Sequence, residues 1–127
     1  MLPLRYPWLW MAFGWGLVAA VTVGSLVPSG LIRGISLSDK LMHAGSYCLL
    51  MIWFAGLYAR RRHVLIAAVL LMLGLVLEIL QHRTSYRMFD LTDMLANAVG
   101  VAAGFVVSFF VLEGWCQRLE KRLLFDD

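Results

Sequence analysis

Charged residues along this chain fall into short clusters, and the stretches between them are long apolar runs at residues 8–27, 41–59, 64–80 and 94–112. A helix rising 1.5 Å per residue needs about 20 predominantly apolar residues to cross the hydrocarbon of a bilayer. The pattern predicts an all-α polytopic membrane protein: four transmembrane helices forming an antiparallel bundle, with residues 1–127 as one domain.

The connections sharpen this outline. Pro28 stops the first helix, and Ser38-Asp39-Lys40 reads as the start of the second, with Ser38 as cap and Asp39 at the positive end of the helix dipole. Only Arg60-Arg61-Arg62-His63 joins the second and third spans, which predicts antiparallel neighbours whose side chains pack directly. Thr92 reads as the cap of the fourth helix. Beyond it, Trp115, Leu119 and Leu123 repeat at i, i+4 and i+8 opposite Gln117, Arg118, Lys121 and Arg122, so residues 113–127 read as an interfacial cytoplasmic tail, dispensable for insertion.

Composition agrees with a bilayer: 61% of the chain is hydrophobic and 15% charged, against about 25% charged in ordinary globular domains. The net charge of +3 does not point to nucleic acid, because the basic residues lie beside spans and are not interleaved with aromatics on one face. Arg5, Arg60, Arg61, Arg62, Arg118, Lys121 and Arg122 flank one side of the membrane; Arg33, Lys40, Arg83 and Arg87 flank the other. The positive-inside bias makes the first group cytoplasmic, giving a multi-pass protein with both termini inside. The first run is too long for a secretory h-region and lacks a convincing cleavage site, so it reads as an anchor. Cys48 and Cys116 fall at different depths, which forbids a disulfide, and neither has a partner at metal-ligand spacing.

The intramembrane polar residues concentrate at one end. His43, Glu78 and Asn97 each fall just inside the outer end of their span. Helical spacing adds Asp39 and Tyr47 to the face of His43, Gln81 to that of Glu78, and Asp93 to that of Asn97. Ionisable groups at a helix centre cost about 2.5–3.5 kcal/mol on insertion scales, with less penalty toward the ends. Three helices bearing such groups at one level are a functional-site signal, and Glu78, set among Leu75-Val76-Leu77 and Ile79-Leu80, is its sharpest member. The alternative is that these groups only hydrogen-bond the helices together. Gly100 and Gly104 form a small-xxx-small pattern that permits close helix packing, within the bundle or between copies.

Read in order, Asp39-Lys40-Leu41-Met42-His43, Tyr47, Glu78-Ile79-Leu80-Gln81, Arg87, Asp90, Asp93, Asn97, Gly100 and Gly104 make a set that resembles the VanZ-like family of small bacterial membrane proteins, over about residues 39–104. The resemblance implies a bacterial cytoplasmic (inner) membrane and a link to the cell envelope, the founding member being associated with resistance to the glycopeptide teicoplanin. It supplies no reaction; a link to glycopeptide (teicoplanin) resistance is what the resemblance suggests, and it does not carry over automatically.

Three functions stay open. In the first, the outer polar site binds or processes an envelope lipid or lipid-linked molecule: Lys40, Arg83 and Arg87 hold phosphate, while Glu78, His43 and Asp93 are the acid–base candidates and Asp39, Lys40, Tyr47, Gln81, Arg87, Asp90 and Asn97 the ligand-binding ones. In the second, the chain is a noncatalytic membrane subunit or structural partner. In the third it is a small transporter, although no polar stripe continues inward from His43. Whether it is an enzyme is left open. The expected partners are the bilayer and an envelope lipid, with a homo-oligomer open and nucleic acid excluded. No cofactor is expected; Asp39, His43, Glu78 and Asp93 form an oxygen-rich set, but one histidine and no close ligand pair do not specify a metal.

Overall fold

A computed structural model describes residues 1–26, 36–83 and 90–124. They form α1 (Pro7–Leu26), α2 (Ser36–Leu57), a 3-10 turn at Arg60–Arg62, α3 (His63–Arg83), α4 (Leu91–Phe110) and α5 (Trp115–Leu124), with no strand among the described residues. Among the described residues, three segments are long and apolar enough to cross a membrane: Pro7–Leu26, Arg60–Arg83 and Leu91–Phe110. That is one fewer than the four apolar runs predict. The difference lies in α2, whose 22 residues are ample in length but carry Asp39, Lys40 and His43 in the first half.

Element boundaries move for local reasons. The second helix begins at Ser36, ahead of the expected cap, so Ser38 lies inside its first turn. Asp90, not Thr92, caps α4: its backbone is extended (φ −118°, ψ 104°) and its side chain accepts from Thr92 N. His63, expected in the connection, is the first residue of α3 and is buried. Its Nε2 stands 3.2 Å from Ala55 O and 3.3 Å from Tyr58 O, so the ring donates to carbonyls that the end of α2 leaves without helical partners.

The packing hierarchy also differs from expectation. The most extensive pairing is α2 with α4, and α3 lies against both. Two glycines explain this order. A Cβ on Gly100 would stand 2.1 Å from Ala44 O, and one on Gly104 would stand 2.7 Å from Cys48 O. Only hydrogen at these positions lets the two backbones approach so closely, so the Gly100/Gly104 surface is used within the chain. Tyr47, Leu50, Met51, Ala55, Leu70 and Val101 form the buried core, and Leu17, Val18 and Val21 of α1 pack against it.

Outside that core the surface stays apolar. Trp8, Trp15, Leu41, Val64, Val99 and Phe110 are each more than half exposed. Such a shell suits hydrocarbon as solvent and would be an aggregation hazard in water.

The end that carries the termini is closed by aromatic rings. Trp53 stacks on Phe13 with centroids 4.4 Å apart, and Trp10 meets Trp53 and Trp115 at 5.4 and 5.5 Å. Cys116 is fully buried within α5, beyond the fourth span where the sequence suggests it, while Leu119 and Leu123 stay exposed. Cys48 and Cys116 are both free thiols.

Candidate functional site

At the opposite end, the first turns of α2 and α4 meet through charge. Lys40 Nζ lies 3.4 Å from Asp90 Oδ2 and 3.2 Å from Asp93 Oδ1, and it also donates to the Thr92 hydroxyl. Asp90 lies outside the apolar stretch: the Thr92 hydroxyl first, then the Thr92 N–H and the Lys40 ammonium, hold its carboxyl below the usual range. Asp93 is 2% exposed, so its charge is compensated by neighbours and not by water.

One helical turn further in, His43 and Asn97 join the two helices. Nδ1 of His43 is 3.1 Å from Asn97 Oδ1, while Nε2 lies 3.7 Å from Asp93 Oδ2. An amide oxygen only accepts, so Nδ1 carries the hydrogen of this pair. Asp39, His43 and Asp93 each place one potential ligand atom within 4.8 Å of the others. Below them Tyr47 is 1% exposed, and its hydroxyl has no hydrogen-bond partner among the described residues.

Gly74 makes room for this arrangement. A Cβ there would stand 3.1 Å from Asn97 Nδ2 and 3.3 Å from the Tyr47 hydroxyl. Its importance was readable from spacing, since Gly74, Glu78 and Gln81 follow one another at i, i+4 and i+7 on α3. No chemistry attaches to a glycine, so a search for polar candidates passes over it.

Glu78 and Gln81 are buried, but each serves the backbone. Glu78 Oε1 accepts from Asp90 N at 2.7 Å, anchoring the entry to α4, and Gln81 Nε2 donates to Ser25 O at the end of α1. The structure thus brings Asp39, Lys40, His43, Asp90, Asp93 and Asn97 into one cluster, with Tyr47 beneath. Glu78 and Gln81 lie at its side, Gly100 and Gly104 serve packing, and Arg87 is outside the described residues.

An apolar groove of about 510 Å³ runs between α3 and α4, lined by Leu71, Met72, Leu75, Met94, Leu95 and Ala98 among others. Gly74 and Asn97 also line it, so the groove reaches the amide that holds His43. Sequence reasoning missed the groove, because its walls are ordinary apolar positions of two spans.

Neither the curated proteins nor the solved structures supply a match. The model of the VanZ/LLP1 family matches residues 6–112, a stretch that takes in α1 to α4 and every residue of the cluster, and the chain belongs to that family.

Proposed function

We propose that this protein crosses the bacterial inner membrane four times, with both termini in the cytoplasm, and that its outer polar cluster binds an envelope lipid or lipid-linked molecule. The observation that carries the reading is the junction at Asn97, which lines the apolar groove and meets His43 within the charged cluster. Hydrocarbon would lie in the groove between α3 and α4. A phosphate or other polar head would sit at Lys40, Thr92 and the cluster around them.

The orientation is supported by the seven basic residues on one flank and four on the other. Arg5 joins Glu120 through its backbone, and Arg60 contacts Phe109 O and Glu113. These contacts gather basic residues of distant sequence at one end. Transport through a single chain is disfavoured by the core below Tyr47, where Leu50, Met51, Ala55, Leu70 and Val101 close the path with apolar side chains.

A structural-subunit role keeps one observation of its own: Glu78 and Gln81 are engaged with backbone groups and are accounted for without a ligand. Native mass spectrometry of gently extracted protein tests the choice. A phospholipid or polyprenyl lipid should be retained by the wild type and lost in Ala98→Trp, which fills the groove, and in Lys40→Met. Retention of the same lipid by both variants would remove the ligand reading and leave the subunit in its place. In parallel, single cysteines at Arg61 and at Arg83, with Cys48 and Cys116 replaced, should label from inside and outside respectively.

A further inference from the structure

One amide interrupts the hydrocarbon lining of the groove between α3 and α4. Asn97 is the only side chain with nitrogen or oxygen among the described residues that line it, and it keeps 5% of its surface open. Its two ends are used differently. Oδ1 accepts from His43 Nδ1, while Nδ2, the donor end, lies on the side of Gly74 and makes no hydrogen bond among the described residues.

Gly74 lines the same groove. The position that a Cβ would take on it lies 3.1 Å from Asn97 Nδ2 and 3.3 Å from the Tyr47 hydroxyl oxygen, and that hydroxyl is also buried without a partner among the described residues. Two unused donors, one carried by α4 and one by α2, therefore flank one point in the groove wall. An unpaired donor is costly in apolar surroundings, and hydrocarbon offers it nothing to bond. Buried polar groups in folded proteins nearly always have a partner, so whatever fills the groove is expected to bring an acceptor to this point.

We propose, building on the lipid reading above, that the occupant is an acyl-ester lipid: one acyl chain lies along the groove, and its ester carbonyl accepts from Asn97 Nδ2 beside Gly74, with the Tyr47 hydroxyl as the donor behind it. The levels agree. Thr92, whose hydroxyl meets Lys40 at the outer end, precedes Asn97 by five residues on α4, about 7.5 Å along the axis. A glycerol backbone bridges a gap of that order between a phosphate and an ester carbonyl. A polyprenyl phosphate has no acceptor beyond its phosphate and would leave both donors unpaired. His43 acts as a positioning residue, because holding Oδ1 fixes which end of the amide faces Gly74. Water is the competing acceptor, and it would serve every lipid alike.

The test is a competition, read by native mass spectrometry of the full-length protein. Equal amounts of a diacyl phosphatidylglycerol, its dialkyl ether twin and a polyprenyl phosphate are offered together. The ether twin keeps the headgroup and chains and lacks only the carbonyl oxygens. The wild type should retain the diacyl lipid roughly 3- to 10-fold over the ether, the effect of one net hydrogen bond, and over the polyprenyl phosphate as well. Asn97→Asp keeps an acceptor for His43 but replaces the donor, and Asn97→Leu removes both; in each the diacyl-to-ether ratio should fall to about one. Where neither variant is recovered folded, the wild-type ratio decides by itself. A wild-type ratio near one, a ratio unchanged in Asn97→Asp, or a preference for the polyprenyl phosphate would each overturn the ester assignment, and lipid still lost in Ala98→Trp would show that the groove reading survives it. Retention of no lipid by the wild type would overturn both.

Discussion

At the end of the molecule that carries the termini, each indole nitrogen of the tryptophan cluster has a fixed acceptor: Trp10 donates to Glu120 Oε1, Trp53 to Trp10 O, and Trp115 to Ile52 O. At the opposite end, an imidazole nitrogen and carboxylate oxygens converge, and a buried hydroxyl is left without a partner among the described residues. Both ends bury polar atoms beneath an apolar surface. At the first, the indoles close their hydrogen bonds inside the chain, as a structural fastening does, while His63 Nδ1 and Ser108 Oγ at the same end are buried without a partner among the described residues. The second gathers charged groups into one small volume between the first turns of α2 and α4, with the Tyr47 hydroxyl beneath them. The two ends therefore differ less in how much polarity they bury than in its kind: indole N–H groups on fixed acceptors at one, ion pairs between two helix starts at the other.

Separating α2 from α4 should break the comparison most severely, since those two helices and the Asp90 cap supply the side chains of the charged cluster. Gly100→Val places a branched side chain where even a Cβ would meet Ala44 O at 2.1 Å. The backbones must part, at a cost of about 3 kcal/mol or more. The expected result is a large fall in melting temperature together with loss of lipid retention. A variant that melts like the wild type would show that the α2–α4 approach is not what assembles the site.

Next in size is removal of the fastening at the other end. Truncation after Glu113 should leave the protein inserted, because α4 already supplies a span, but it strips Trp115, the buried Cys116 and Glu120 from the core. Trp115→Ala isolates part of that effect at roughly 3 kcal/mol. The cluster around Lys40, Asp90 and Asp93 should keep its lipid retention in Trp115→Ala at temperatures where the protein stays folded. Loss of lipid retention there would mean that the two ends are coupled and the contrast between them is not local.

How far the sequence went follows the same division. Three of the four apolar runs were legible as helices long and apolar enough to cross a membrane, because hydropathy is a property of the chain itself. The family resemblance was legible from ordered residues on the right spans. What stayed hidden was pairing. Spacing shows that Asp39, His43 and Tyr47 share a face, but not that α4, admitted by Gly100 and Gly104, would lie against that face ahead of α3. Glu78 stood out among leucines, yet an isolated charge does not announce that its partner is the Asp90 N–H. The last helix was read from Leu119 and Leu123, whereas Cys116 is buried and Glu120 makes the polar contacts, because a docked helix is selected by complementarity with the groove beneath it.

A smaller effect should come from Glu120, whose carboxylate accepts from Arg5 N at 2.7 Å, Tyr6 N at 3.1 Å and Trp10 Nε1 at 2.7 Å. Burial alone would raise its pKa, but the hydrogen bonds from Arg5, Trp10 and Tyr6 outweigh it and hold the carboxyl below the usual glutamate range. A depressed folded value stabilises docking fully above the unfolded value of about 4.3, and that contribution is lost as pH falls through the folded value. Glu120→Gln should cost about 1 kcal/mol or less at pH 7, given its solvent access, and should flatten this acid limb. An unchanged melting temperature and an unchanged acid limb would show that the carboxylate does not hold the N-terminal segment.

The smallest expected effect is chemical rather than energetic, and it reads the tightness of the terminal end directly. Burial pushes the Cys116 thiol up to about 12, with the negative charge of Glu120 adding to the shift. At pH 8 the thiolate fraction is then about one in ten thousand, and the sulfur is fully covered by its surroundings. Gly56 shows how close the cover is, since a Cβ on it would stand 2.7 Å from Cys116 Sγ. In a Cys48→Ala background, a water-soluble maleimide should leave Cys116 unmodified over an hour with the fold intact. The same reagent should modify it within minutes once Trp115→Ala loosens α5. Rapid labelling of the otherwise wild-type chain would mean that α5 opens freely in solution, and the terminal end would lose the tight packing that sets it apart from the charged cluster at the opposite end.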